Sequence, residues 1–183
     1  MPRITKVTTR RGDDGNTDLA DGRRVRKDSK RIQAVGSLDE LNSAIGWARA
    51  QSPSPDTAAR LLEIQNDLLC AGAMLAGASR KSRGPVLDPA RIEFLERGIA
   101  SFQEKLGPLE NFLLPGGTSC AAALHLARAV CRRAERDVIV LSRTSTVPPD
   151  IRIYLNRLSD LLFQCARLEN KLSGVSESLW ESR

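Results

Sequence analysis

Apolar positions recur along most of this chain at intervals of three and four residues, the spacing of a helix that buries one stripe, and they gather into five runs. Leu38, Leu41, Ile45 and Ala48 form the first. Ser37-Leu-Asp-Glu40 stands ahead of it as a capping box, Ser at the cap and Glu three residues on, which predicts a helix from Ser37 to about Gln51. After the Ser52-Pro-Ser-Pro55 linker, Asp56 is expected to cap a second helix reaching about Ala78, with Leu61, Ile64, Leu68 and Leu75 inside. Asp88 followed by Pro89 is a helix start, and Ile92, Leu95, Ile99, Phe102 and Leu106 carry that run to Gly107 and Pro108. Thr118 to Arg143 has neither Gly nor Pro, is dense in Ala and Leu, and opens on Thr118 or Ser119 as N-cap. A last helix is expected from Asp150, as its cap, to Gly174. Five such patterns with short links predict an all-α antiparallel bundle of about five helices over residues 37–174.

The flanks behave differently. Residues 1–28 are polar and punctuated by glycine without a helical period, so they are expected to form a non-helical arm. Residues 175–183 are polar around Trp180 and read as a mobile tail. A chain of 183 residues is one domain on length, large enough for a core of its own.

Composition narrows the chemistry. Hydrophobic residues make up 41% but aromatics only 4%, so the core must be aliphatic, which suits Leu- and Ala-rich helices. The net charge of +6 favours anionic ligands, yet Lys and Arg are scattered and Tyr154 is the only tyrosine, so a nucleic-acid partner is not expected. Cys70, Cys120, Cys131 and Cys165 lie inside predicted helices with no CxxC spacing and read as buried, reduced thiols. His125 is the single histidine and no Glu-x-x-His occurs, which argues against a zinc site or a di-iron bundle and leaves His125 as a packing residue. No apolar run approaches the roughly 18 residues that span a bilayer, so no membrane partner is expected. The N-terminus lacks the apolar core of a secretion signal, and Asp13, Asp14, Asp18 and Asp21 argue against a transit peptide, so a cytoplasmic location is expected.

Three stretches carry candidate chemistry. Arg128, Arg132 and Arg136 recur at four-residue spacing and share one helical face. Either Glu135, Asp160 and Asp39 neutralise them at helix contacts, or the face receives a polyanion such as a nucleoside triphosphate, whose oxygens match forked guanidinium donors. In the arm, Gly12 and Gly15 permit a tight backbone path while Thr9, Thr17 and neighbouring Lys and Arg offer donors that can wrap phosphates, although no Walker loop is present. Gly116 and Gly117 precede the long helix, which suits an anion or a close ligand approach, or else a simple helix–helix turn around a hydrophobic plug.

The run Arg128-Ala-Val-Cys-Arg-Arg-Ala-Glu-Arg136, followed by Asn156-Arg-Leu-Ser-Asp160, resembles the signature of the PduO-type ATP:cob(I)alamin adenosyltransferases. Thr9, Gly12, Asp13, Gly15 and Thr17 match that family's amino-terminal Thr-x-x-Gly-Asp-x-Gly-x-Thr loop, which folds over ATP, and Lys27 before Asp28 fits the basic residue that follows it. Arg10 departs from the pattern, standing where the family commonly has Lys, and is followed by the bulky Arg11. Val35 to Ser43 resembles the block whose Asp pairs across a subunit boundary with the first Arg of the long helix, which implies Asp39 with Arg128. Phe112 opens a Phe-x-Leu-Pro-Gly-Gly run that in the family lies beside the corrin ring, with its Phe on the lower axial side of cobalt.

The resemblance spans nearly the whole chain, and its implications are specific. They are a homotrimer with active sites between subunits, and transfer of the 5′-deoxyadenosyl group of ATP to the cobalt of reduced cobalamin with release of triphosphate. Thr9, Arg10, Arg11, Gly12, Thr17, Asp18, Lys27, Arg132, Arg133, Glu135, Arg136 and Asn156 would hold ATP, with Arg132 and Phe112 contributing to catalysis and Asp39 and Arg128 at the interface. Mg²⁺ would accompany ATP near Glu135 without a dedicated set of protein ligands. A flavin-type reductase and a cobalamin-dependent acceptor enzyme would be its protein partners. A helical adaptor would use the same apolar faces but leave the arginines opposite a glycine-rich arm unexplained. The closer alternative is another nucleotide-dependent transferase or hydrolase built on a helical bundle, which would release phosphate or pyrophosphate.

Overall fold

A computed structural model of the chain describes Thr8, residues 10–78 and residues 84–181. Five helices dominate it: α1 (Lys30–Ala50), α2 (Pro55–Leu75), α3 (Ala90–Leu106), α4 (Ser119–Ser142) and α5 (Pro149–Leu172). Ahead of them, β1 (Asn16–Asp18) and β2 (Arg24–Arg26) pair antiparallel, with Asn16 opposite Arg26 and Asp18 opposite Arg24. The described part of the arm is therefore non-helical, as expected, and is shaped by a hairpin.

The bundle closes in the order α2, α1, α4, α5, α3. Gln33 and Ser37, early in α1, donate to the Asp137 carboxylate late in α4, while the Cys120 thiol at the start of α4 reaches the Ala48 carbonyl, so these two helices run antiparallel. Arg91 of α3 reaches back to Asp67 of α2 at 2.8 Å and completes the ring. Inside are aliphatic side chains, with Tyr154 and Phe102 the largest fully buried groups. The Tyr154 hydroxyl donates to Asp67 at 2.9 Å, which satisfies the one polar atom that ring carries into the core. Burial raises the Asp67 carboxyl against the pull of Arg91 and Tyr154.

Helix boundaries depart from expectation where two start signals compete. The helix expected from Ser37 begins at Lys30, where the Ser29 side chain accepts from Ile32 N, and Ser37 lies buried inside it, donating to Asp137 at 2.5 Å. Gly36 and the charged residues around it disguise the first two turns. Asp56 and Asp150, expected as caps, sit one residue inside helices that Pro55 and Pro149 begin, and act as first-turn acids near the positive end of the dipole. The start of α2 is capped from outside: Glu169 of α5 accepts from Ser54 N at 3.0 Å and from its hydroxyl at 2.7 Å.

The carboxyl-terminal segment is not free. Leu179 pairs with Leu113, Leu114 N donates to the Ser178 carbonyl and Trp180 N to the Phe112 carbonyl, both at 2.8 Å, and Arg167 holds Glu177 at 3.2 Å. Two backbone hydrogen bonds and one ion pair thus lay residues 175–181, expected as a mobile tail, along the loop before α4 as a strand-like cover.

All four cysteines are unpaired thiols; Cys120, Cys131 and Cys165 are buried, as expected, while Cys70 is half-buried on α2. Burial pushes Cys120 up to about 11 and raises Cys131 and Cys165 as well, so these sulfurs are packing groups rather than nucleophiles. No helix among the described residues is long and apolar enough to cross a membrane.

Candidate functional site

The candidate residues fall into three groups on the protomer. The first is the arm. Gly15 takes φ of +81°, a turn that a side chain would strain, and the Lys27 N–H donates to the Gly15 carbonyl at 2.9 Å, so β2 is drawn across the loop. That crossing brings the Lys27 ammonium over Gly12, where a Cβ would come to 2.9 Å from Nζ. A side chain at Gly12 would thus press on the flexible end of Lys27 and shift its ammonium.

Arg24 ties the loop to the hairpin. One guanidinium nitrogen donates to the Arg11 carbonyl at 2.6 Å and to Asp14 at 2.9 Å, and the other donates to Asp18 at 3.2 Å. These bonds, with those from Asn16, hold the Asp14 carboxyl down at about 2. Arg11 is ion-paired with Asp18 at 2.9 Å, so these two candidates engage one another. Arg10 adopts φ of +59°, an uncommon conformation for a residue with a side chain. Thr8, Arg10, Gly12, Thr17 and Lys27 surround an open cavity of about 680 Å³. Thr9 lies outside the described residues.

Thr17, Asp18 and Lys27 also border a second cavity, about 560 Å³, between the arm and the α1–α2 groove. Its walls are Leu19, Ile32, Val35 and the Gly72–Ala73 turn of α2, and Asp39 stands at its rim. A basic pocket thus opens beside an apolar one, with Lys27 common to both.

The second group lies on α4 and α5. Arg132 and Arg136 are solvent-exposed on one face, and Arg136 donates to the Arg132 carbonyl at 3.1 Å. Among the described residues neither is ion-paired with a carboxylate, and nor is Arg128, so Glu135, Asp160 and Asp39 do not neutralise this stripe within the protomer. Arg128 instead lies over the Phe163 ring at 5.4 Å. Glu135 accepts from Asn156 at 3.4 Å, and Asn156 accepts from Arg157 at 2.7 Å, which orients the amide beside the arginines. Arg133 points elsewhere: it faces α1 and pairs with Glu40.

Among the described residues the arm lies on the α1–α2 side, where Ala20 N donates to the Ala76 carbonyl at 2.8 Å, while the main packing partners of α4 and α5 are α1, α3 and each other. The protomer therefore displays two basic half-sites and does not bring Lys27 to Arg132. Asp39 is exposed on the α1–α2 side, apart from Arg128 on the α4–α5 side.

The third group is the loop before α4. Phe112 is 78% exposed and meets Trp180 edge-on, with ring centroids 6.3 Å apart. At the other end of the loop Asn170 donates to the Gly116 carbonyl and accepts from Thr118 N, whose side chain caps α4. His125 is buried nearby at 5.9 Å from Phe163; desolvation and then Arg128 lower its pKa, which keeps the ring neutral.

Arg24, Asn170 and Trp180 were not legible as site residues. Arg24 sits in a run of basic residues that look alike in sequence, and Asn170 lies near the end of α5, ten residues beyond the Asn156–Asp160 block that carries that helix's signal. Trp180 stands in a polar tail sixty-odd positions beyond the proline–glycine loop, and no motif or periodicity links the two.

Comparison with known proteins identifies the fold and the family. The profile of the cobalamin adenosyltransferase family matches residues 7–169. The chain is 43% identical over 180 residues to a cobalamin adenosyltransferase of Cupriavidus metallidurans, covering 98% of this chain and 96% of that protein. It is 40% identical over 180 residues to a corrinoid adenosyltransferase of Bacillus subtilis, covering 96% and 92%. Among solved structures, a phenylalanine-to-alanine variant of the PduO-type ATP:corrinoid adenosyltransferase from Lactobacillus reuteri, complexed with cobalamin and ATP, superposes with a TM-score of 0.91 at 33% identity, covering 97% of this chain and all of that one. An arginine-to-lysine variant of the same enzyme, complexed with ATP, superposes at 0.87, covering 96% of this chain and 100% of that one.

Proposed function

The chain belongs to the cobalamin adenosyltransferase family, and on that premise we propose how its residues carry out ATP-dependent adenosyl transfer to cobalamin. The reaction is a displacement at C5′ of ATP: the electron pair of cob(I)alamin forms the cobalt–carbon bond, the C5′–oxygen bond breaks, and triphosphate leaves with that oxygen. The nucleophile is the substrate's own metal, so the protein needs no activated side chain. Its tasks are alignment of carbon and cobalt, and stabilisation of the charge that gathers on the leaving group.

One observation carries the assignment of residues. The protomer holds two basic half-sites on separate faces, with Lys27 over Gly12 on the arm and Arg132 and Arg136 exposed without carboxylate partners among the described residues. A homotrimer in which the arm of one subunit meets the α4–α5 face of its neighbour completes the site, and Asp39 pairing with Arg128 across the same boundary would fix the register. Thr17, Gly12 and Lys27 then hold the phosphates from one side, and Arg132, Arg136 and Asn156 from the other, with Thr9 and Arg10 at the loop. The apolar cavity beside Lys27 suits the adenosine, which must sit next to its phosphates.

Mg²⁺ fits as an ion carried by the triphosphate. Among the described residues no three carboxylate, histidine or thiol groups converge as a cage, and Glu135 is the carboxylate bonded to Asn156 in the α4–α5 half. When bound, Mg²⁺ neutralises phosphate charge, and Glu135 with Asn156 orients the arginine side of the site.

Phe112 has the chemistry to keep water and the lower ligand off cobalt: an exposed ring on a loop pinned at both ends. Removing those ligands raises the reduction potential of cob(II)alamin, which makes its conversion to the nucleophile easier. A cytoplasmic setting suits the unpaired thiols, and a flavin-type reductase and a cobalamin-dependent acceptor enzyme complete the proposed context.

The test is to incubate the protein with ATP, Mg²⁺ and chemically reduced cobalamin, following the corrin spectrum and the phosphorus products by NMR. Adenosylcobalamin and intact triphosphate in equal amounts are expected. Pyrophosphate with phosphate, or nucleotide turnover without a cobalt–carbon bond, would overturn the reading.

A further inference from the structure

We propose that Asn170, at the end of α5, is the positioning residue of the corrinoid-facing loop, holding Phe112 in place without touching either substrate. The proposal rests on the reading of Phe112 given above. Asn170 is 2% exposed, and both ends of its carboxamide are hydrogen-bonded. Its carboxamide oxygen accepts from Thr118 N at 2.9 Å and its nitrogen donates to the Gly116 carbonyl at 3.2 Å, so one planar amide clamps both sides of Gly117. Gly117 has φ of +100°, and a Cβ there would lie 2.5 Å from the carboxamide carbon. The paired glycines of the Pro-Gly-Gly run therefore have separate reasons: Gly116 supplies a carbonyl and Gly117 supplies room for the clamp.

The backbone of Asn170 does a second task. Its carbonyl accepts from Val175 N at 2.9 Å and from Ser173 N at 3.2 Å, which turns the chain out of α5 and launches the carboxyl-terminal segment. That segment returns to the same loop, with Trp180 N donating to the Phe112 carbonyl and the Trp180 ring edge-on to the Phe112 ring. Phe112 is thus fixed from one end by the Asn170 side chain and from the other by a segment that starts at the Asn170 carbonyl. A ring that must sit over a metal centre gains from such double anchoring, because a displacement of about 1 Å can cost on the order of 100-fold in a well-aligned reaction.

The half-site on α4, Arg132 and Arg136, lies about four to five turns beyond Thr118, so ATP binding should be insensitive to the clamp. Asn170→Ala removes both side-chain bonds. Asn170→Asp keeps the acceptor for Thr118 N, where the start of α4 favours a negative charge, but loses the donor to Gly116. Each variant, checked for native helicity by circular dichroism, is loaded with ATP and cob(II)alamin; the four-coordinate fraction is read by visible and EPR spectroscopy and ATP affinity by calorimetry.

The expected result is a four-coordinate fraction lowered about tenfold or more in Asn170→Ala and by less in Asn170→Asp, with ATP affinity within about twofold of wild type. A purely structural role would reduce the amount of active protein without separating the two ligands. Wild-type four-coordinate fractions in the variants, or ATP affinity falling in step with the corrinoid signal, would overturn the proposal. Should Asn170→Ala fail to fold, Asn170→Asp decides alone by the same criterion. A wild-type protein that yields no four-coordinate species would instead count against the role of Phe112, and one that makes no adenosylcobalamin against the function itself.

Discussion

Gly117→Ala is a small change with a large calculable consequence. The new Cβ would lie 2.5 Å from the Asn170 carboxamide carbon, well inside contact distance, and the residue would hold φ of +100°. The left-handed backbone costs about 1–2 kcal/mol for a residue with a side chain. Displacing the buried amide breaks two hydrogen bonds, at about 1 kcal/mol each or more if their partners stay dry. The sum, about 3–5 kcal/mol, corresponds to a fall in Tm of about 8–15 °C for a chain of this size. The amide share can be isolated by a double-mutant cycle with Asn170→Ala, since without the clamp Gly117→Ala should cost only the backbone part. A coupling of about 2 kcal/mol is expected, measured by denaturation at one fixed protein concentration because the stability of the proposed trimer would depend on it. If Gly117→Ala costs the same in both backgrounds, the clamp is not what the glycine makes room for.

Other perturbations separate neighbouring roles. Phe112→Ala, at a side chain that is 78% exposed, should change stability by no more than about 0.5 kcal/mol while suppressing four-coordinate cob(II)alamin and sparing ATP affinity; unaltered corrinoid spectra would refute its assignment. Arg132→Ala should weaken ATP binding far more than Arg133→Ala, because Arg133 is occupied with Glu40, and equal losses by calorimetry would contradict the division of α4 into two faces. Asp14 is held down from 3.8 to about 2, chiefly by its hydrogen bond from Arg24. A depressed carboxyl contributes to folding above its unfolded value and loses that contribution as pH falls through the folded one, so the hairpin should loosen between pH 3.8 and about 2. A carboxyl NMR titration of Asp14 that stays near 3.8 in the native chain, or that ignores Arg24→Ala, would exclude the bond.

The bundle was readable because its code is local: aliphatic stripes at helical spacing, punctuated by Pro and Gly, with the long Thr118–Arg143 run leaving no other choice. Ser37 misled because a capping-box pattern lay inside a longer helix, and the tertiary bond from Ser37 to Asp137 is invisible to any local window. The tail misled for the same reason, since its polar composition reads as solvated until the backbone of Phe112 and Leu114 is available to pair with it. For the site, the four-residue spacing of Arg128, Arg132 and Arg136 and the glycine pattern of the arm were legible as chemistry. Which of the flanking charges face that chemistry was not: Arg133 differs from Arg132 by one position and 100° of helix, and only packing on α1 sets it apart.

The claim that matters most is that Lys27 and Arg132 work together from different subunits. Lys27→Ala and Arg132→Ala proteins should each be inactive alone, and unfolding and refolding them together in equal amounts redistributes the subunits at random. An arm from one variant then meets an α4 face from the other at about a quarter of the boundaries, so about a quarter of wild-type adenosylcobalamin formation should return. A mixture as inactive as its parents, after exchange of subunits has been demonstrated by mass spectrometry, would mean that the two half-sites never meet across a boundary.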